Sequence, residues 1–214
     1  MKINKYFSLS SVLLTTLFVS ACSTTSFVTN NEGIPHVIAS SSNKRPLWID
    51  NIHKYQTMHK NNVYFVGEAT HQLDDSLGRD VAYANAMRNV ANKVENDVHN
   101  LFVQATVTDS DTSHIYKQQI QQRIEDATLQ TASVYALGAS PDTYYWQEYE
   151  VGGNYSSPTI FRNIHVLVSM SQKAYKKTVE KTLDRVKNTV KNSDAKNLVE
   201  DMKKRWLKTE RKNG

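Results

Sequence analysis

Between residues 77 and 103, apolar side chains recur at steps of three or four: Leu77, Val81, Ala84, Met87, Ala91, Val94, Val98 and Leu101. That spacing brings one stripe to the surface of an α-helix and scatters over both faces of a strand, so it predicts a single long amphipathic helix over 77–103. Asp74, Asp75 and Ser76 supply a cap and first-turn acids for its N-terminus. Ala82, Ala84, Ala86 and Ala91 are small enough to let a sheet approach the helix closely. A long amphipathic helix cannot bury its stripe by itself, so the rest of the chain must provide the second layer.

The flanking residues read as strands. Residues 63–66, Val-Tyr-Phe-Val, are closed by Gly67 and predict a buried strand. Residues 133–137 and 143–151 are strand-like, with Gly138-Ala139-Ser140-Pro141-Asp142 between them as a hairpin turn signal. In the second of these, Tyr145, Gln147 and Tyr149 point one way, while Tyr144, Trp146 and Glu148 point the other. Gly152-Gly153-Asn154 opens a loop, Ser157-Pro158 ends it, and 160–170 follows as the most apolar strand. Residues 104–128 are ambiguous: Thr106-Val107-Thr108 favours a strand end, whereas Ile120, Ile124 and Ala127 have helical spacing. Tyr175, Val179, Leu183, Val186 and Val190 form a second helical stripe, re-capped at Asn192-Ser193-Asp194 and continued by Leu198, Met202 and Trp206. The expected fold is α+β: a small antiparallel sheet of about four strands, a long helix packed on one face, and a C-terminal amphipathic basic helix.

The N-terminal region speaks to location. Lys2 and Lys5 precede a short apolar run, 12–19, too short to span a bilayer, and small residues follow it. Val19-Ser20-Ala21 leads into Cys22, the chain's single cysteine. The arrangement resembles the bacterial lipobox, which implies cleavage after Ala21 and acylation of Cys22 as a thioether. Ser23, where an Asp would favour retention in the inner membrane, points to the outer membrane. The alternative is an ordinary secretory signal with an incidental cysteine. Residues 23–45, rich in Ser, Thr and Asn, read as a flexible tether, with Pro46 and Trp48 as the first anchored residues. The expected organisation is therefore a signal at 1–21, an acylated tether at 22–45, an α+β domain at 46–192 and a basic helix at 193–214.

The net charge of +5 suggests nucleic acid until its distribution is examined. Residues 171–214 hold 14 Lys and Arg against 6 Asp and Glu, whereas 22–170 hold 10 against 15. An acidic body with one basic end argues against nucleic acid. The basic helix, with Lys203, Lys204 and Arg205, reads either as a contact for anionic lipid or an acidic partner, or as a solvated helix packed locally. A single cysteine excludes an internal disulfide framework and any zinc site built on several cysteines.

No nucleophile elbow, zinc-protease motif, dinucleotide fingerprint or phosphate loop occurs, no pair of the seven histidines has helical metal-ligand spacing, and no cofactor is expected. Glu148 and Glu150 share a strand face, as a glycosidase pair does, and equally suit a solvated sheet face. Tyr144, Trp146 and Tyr149 are candidate partner contacts, with cross-strand packing as the other reading.

Together these residues resemble the LPP20 family of bacterial lipoproteins, which includes flagellar outer-membrane members. The resemblance rests on the lipobox ending at Cys22, on Pro46 and Trp48, and on Tyr64-Phe65-Val66-Gly67. It continues through the Ala-rich helix with Arg88, Tyr145-Trp146-Gln147-Glu148-Tyr149 and Val166-Leu167-Val168, and so spans about 46–190. It implies a small α+β domain with a non-enzymatic structural or assembly role in the envelope, facing the periplasm as a homo-oligomer or with another envelope protein. Binding to peptidoglycan or activation of a cell-wall enzyme is the alternative.

Overall fold

The computed structural model describes residues 34–108, 114–135, 138–152 and 157–213. In chain order they form β1 (His36–Ser40), α1 (Leu47–Asp50), α2 (Ile52–Met58), β2 (Asn62–Gln72), α3 (Asp75–Thr108), α4 (His114–Tyr135), β3 (Ala139–Val151), β4 (Thr159–Ser171), α5 (Gln172–Thr189) and α6 (Ser193–Asn213). The four strands make one sheet in the order β1-β3-β4-β2, every pair antiparallel. The α+β class and the long helix against the sheet are as the apolar spacing predicts.

Alternation along the strands divides the core in two. Val63, Phe65 and Ala69 of β2 and Ile164, Val166, Val168 and Met170 of β4 face α3 and join a core shared with α4, α5 and α6. The opposite face carries Tyr145 and Leu167, over which the short helices α1 and α2 place Trp48, Ile49, Ile52 and Tyr55. The long helices thus lie on one face, as expected, while two short ones cover part of the other.

The line along which α3 meets the sheet differs from the expected stripe in its first half. Gly78, Ala82, Ala86 and Val90 are buried there, whereas Leu77 is 59% exposed and Val81 is also exposed. The cause is Gly67 of β2. A Cβ at Gly67 would lie 1.9 Å from the Ala82 carbonyl oxygen and 2.3 Å from the Ala86 amide nitrogen, so helix and strand touch backbone to backbone. Only small residues fit that line, and the larger Leu77 and Val81 turn outward. Farther along, Val94, Val98, Leu101 and Phe102 are buried as the spacing requires. The 34 residues of α3 span about 51 Å against about 36 Å for the 11 of β2, so its last turns run beyond the sheet and pack with α4 and α6. Asp74 caps it, accepting from the Leu77 amide at 2.7 Å.

Three expectations are corrected. Residues 22–45 are not all tether, because His36–Ser40 pair with 147–150 of β3 as an edge strand, with a bulge at Ile38. The run His-Val-Ile-Ala has β-forming side chains, but it needs the free edge of β3 to hold it. Residues 133–135 are the end of α4, not a strand. With Ile120 and Ile124 buried against α3 and α5, and neither Gly nor Pro between Gly78 and Gly138, the helix continues past its β-branched residues. The expected turn at 138–142 lies mostly within β3, where a register shift between Pro141 and Thr143 absorbs the proline. Pro141 is tolerated because β1 reaches only as far as Gln147, which leaves β3 an edge strand at that point.

The basic segment continues the same core. Asn192 caps α6 through the Asp194 and Ala195 amides, and Ala195, Leu198, Val199, Met202 and Trp206 are buried. Because Gly67 sets the distance between the layers, Gly67→Ala should lower stability by about 3 kcal/mol. Urea unfolding of the variant checks this, with the loss read as a lower midpoint at unchanged slope.

Candidate functional site

The residues singled out from the sequence fall in four places. Cys22 and Ala21 lie outside the described residues. Tyr144 and Trp146 stand on the α3 side of β3, and Tyr149 stands on the opposite face, stacked on Phe161 with ring centroids 5.5 Å apart. Lys203, Lys204 and Arg205 are on α6.

The place of Tyr144 and Trp146 is the most elaborated. Since α3 lies over β2 and β4, the α3 side of β3 is largely uncovered, and a corner forms between the start of the helix and that strand. Asp75 in the first turn of α3 pairs with Arg79 one turn on, and Arg162 of β4 stands 3.6 Å from the same carboxylate. The Arg162 Nε donates to Glu148 across the β3–β4 pair at 2.7 Å. Both guanidinium groups also lie over rings: Arg79 is 4.1 Å from the Tyr144 centroid and Arg162 is 4.8 Å from that of Trp146. A cavity of about 350 Å³ opens here, walled by Arg79, Asp80, Tyr83, Pro141, Tyr144 and Val166. Arginines held over aromatic rings by carboxylates make a stiff surface that combines apolar area with charge, the composition of a protein-contact hot spot.

A larger cleft, about 530 Å³, lies where α2 and the start of β2 meet α3, α5 and α6. On its wall Tyr175 donates its hydroxyl to Asp97 at 2.6 Å, and Lys93 donates to the same carboxylate at 3.2 Å. Burial, reinforced by the Asp97 hydrogen bond and charge, raises the Tyr175 phenol far above its ordinary range. Its hydroxyl is the donor of a bond that ties α5 to α3.

On the face covered by α1 and α2, His165 is buried beneath Tyr145, with Glu68 3.8 Å from its Nε2. Burial depresses its affinity for a proton, Glu68 opposes that effect, and the Arg45 guanidinium adds to it. Farther along this face His71, Phe161 and Tyr149 stack in series. Stacking of this kind between neighbouring strands stabilises the sheet.

The remaining candidates are engaged within the domain. Lys203 donates to Asp184 of α5 at 2.6 Å, which raises its proton affinity, and Arg205 pairs with Asp201. Lys187 of α5 donates to Glu200 of α6 and holds that carboxyl below its ordinary range. The Lys203–Asp184 and Lys187–Glu200 bonds join α5 to α6, the Arg205–Asp201 pair lies within α6, and Lys204 is exposed. Glu148 is tied to Arg162, and Glu150 lies 3.6 Å from His36 of β1. The structure does not bring the carboxylates and lysines named from the sequence to a common point. Among the described residues no group of three or more acidic, His or Cys side chains is placed to hold a metal. No helix among them is long and apolar enough to cross a membrane.

Arg79, Arg162 and Asp97 were not among the residues named from the sequence, and Tyr175 was named only as a member of a helical stripe. Arg162 alone left a trace there, as a cation inside the most apolar strand. No family model, curated protein or solved structure matches this chain.

The depressed proton affinity of His165 gives a pH dependence of defined sign. In the unfolded chain the imidazole protonates near pH 6.5, whereas the folded protein takes up that proton at lower pH. Between those values the unfolded state binds more protons, so stability falls as pH drops below about 6.5. The urea midpoint measured from about pH 7 to pH 5 should fall in the wild type and change less in His165→Gln.

Proposed function

We propose that this chain is a lipoprotein of the outer membrane, anchored through acyl chains on Cys22 and facing the periplasm. Its role is that of a non-enzymatic structural or assembly module of the cell envelope, of the kind found around flagella. The observation that carries this reading is the position of the single cysteine, directly after Val19-Ser20-Ala21 at the end of a short apolar run with a basic start. The resemblance to the LPP20 family points the same way. The corner of Tyr144, Trp146, Arg79 and Arg162 is the surface proposed to meet a second copy or another envelope protein, because it combines rigid aromatic area with positioned charge.

Two measurements test the two halves of the proposal. Labelled palmitate should enter the wild-type protein and fail to enter Cys22→Ala, which should leave the membrane fraction; a Cys22→Ala chain that stays membrane-bound would refute the anchor. A photo-crosslinking side chain at Tyr144 should trap a homo-oligomer or an envelope protein in intact cells. A monomer with no adduct would remove the corner as a contact. Retention on purified sacculi that is lost in Trp146→Ala would instead favour peptidoglycan binding.

A further inference from the structure

The two edges of the sheet are finished differently. Along β2 the outward backbone groups are taken by side-chain amides. Gln56 of α2 donates to the Asn62 carbonyl and accepts from the Tyr64 amide, while Asn89 and Asn85 of α3 donate to the carbonyls of Val66 and Glu68 at 2.8 and 2.7 Å. Such caps keep another strand from pairing there. The opposite edge is β1, and there apolar side chains face outward: Ile34 just before the strand is 63% exposed, Val37 49% and Ile38 42%. The bulge at Ile38 lifts that side chain out of the regular ladder. The strand contains no carboxylate, and exposed Lys44 follows it.

The covalent chain limits what can cover this edge. Eleven residues lie between Cys22 and Ile34, so the twelve steps joining them reach no more than about 43 Å even fully extended. That reach is shorter than the roughly 51 Å of α3. With Cys22 acylated, the region around β1 is the part of the described surface that the chain itself holds near the bilayer.

We infer that β1 is a membrane-contact edge. Ile34, Val37 and Ile38 seat at the boundary between phospholipid headgroups and acyl chains, and Lys44 lies among the headgroups. The inference rests on the acyl anchor proposed above and adds to it an orientation, with β1 toward the lipid. Three apolar side chains are a weak anchor by themselves. Held at high local concentration by the acylated cysteine, they need only a modest preference for the interface to set that orientation.

The native thiol is consumed as a thioether in the acylated protein, so a substituted cysteine is the single site for a thiol-reactive fluorophore. The acylated full-length mature protein, labelled at Val37→Cys or at Lys204→Cys, is placed in vesicles of phosphatidylethanolamine and phosphatidylglycerol carrying brominated acyl chains. Quenching at residue 37 should exceed that at residue 204 by about twofold or more, and adding Ile38→Asp should reduce the difference while the protein stays vesicle-bound. Equal quenching at the two positions in a vesicle-bound protein would overturn the inference and leave the anchor standing. So would a disulfide-linked dimer through unlabelled Val37→Cys, which would assign the edge to a second copy. Fluorophore found on Cys22 by mass spectrometry would instead overturn the anchor, and the orientation with it.

Discussion

The backbone contact between Gly67 and the Ala82–Ala86 turn of α3 sets the geometry of this domain. With no side chain at 67, helix and strand approach until the Ala82 carbonyl lies over the strand, and that distance decides which face of α3 points inward. Gly78, Ala82 and Ala86 occupy the contact and Leu77 and Val81 are turned away. The same rotation places Asn85 and Asn89 beside the outer carbonyls of β2, so the seal on that edge follows from the close approach. Beyond Val90 the constraint relaxes. The side chains grow to Val, Leu and Phe, and α3 passes from lying on a sheet to packing in a layer of helices.

The position of α3 over β2 and β4 also leaves the α3 side of β3 open, and the charges at the corner follow from that. An arginine in the central strand β4 must find acceptors, and Glu148 across the pair and Asp75 in the first helical turn supply them. With its guanidinium fixed at that height, Arg162 covers the Trp146 ring, as Arg79 covers Tyr144. A charged pair at a partly exposed site adds little stability by itself. Its effect here is to hold two large aromatic rings in fixed positions on an otherwise open strand face, which would lower the entropy cost of the contact proposed for them.

Much of the architecture was legible in the order of residues. The long helix, the apolar strand at 160–170, the re-capping at Asn192 and the α+β class all followed from periodicity and caps, which are local. The failures share a cause. The side of α3 that is buried depends on a glycine eleven residues before the first apolar position that turned out buried, Gly78. The status of 36–40 as a strand depends on an open edge more than a hundred residues away. The helical state of 133–135 depends on α3 and α5 holding Ile120 and Ile124. The corner was half legible: its aromatics stand out in the sequence, but the guanidinium groups that position them come from two other elements. For Lys203 and Arg205, the count of positive charge was right, but it could not show that Asp184 and Asp201 engage them.

The corrected β1 also bears on the anchor proposed above. With His36–Ser40 paired in the sheet, thirteen residues rather than twenty-three lie between Cys22 and the folded domain. Under that proposal the shorter connection would keep the edge strand β1 closer to the attachment than any other strand, so that weak apolar contacts at Val37 and Ile38 would count for more than equally weak ones elsewhere. Such an orientation would leave the corner of Arg79, Tyr144 and Arg162, which belongs to α3, β3 and β4, open to the contact proposed for it.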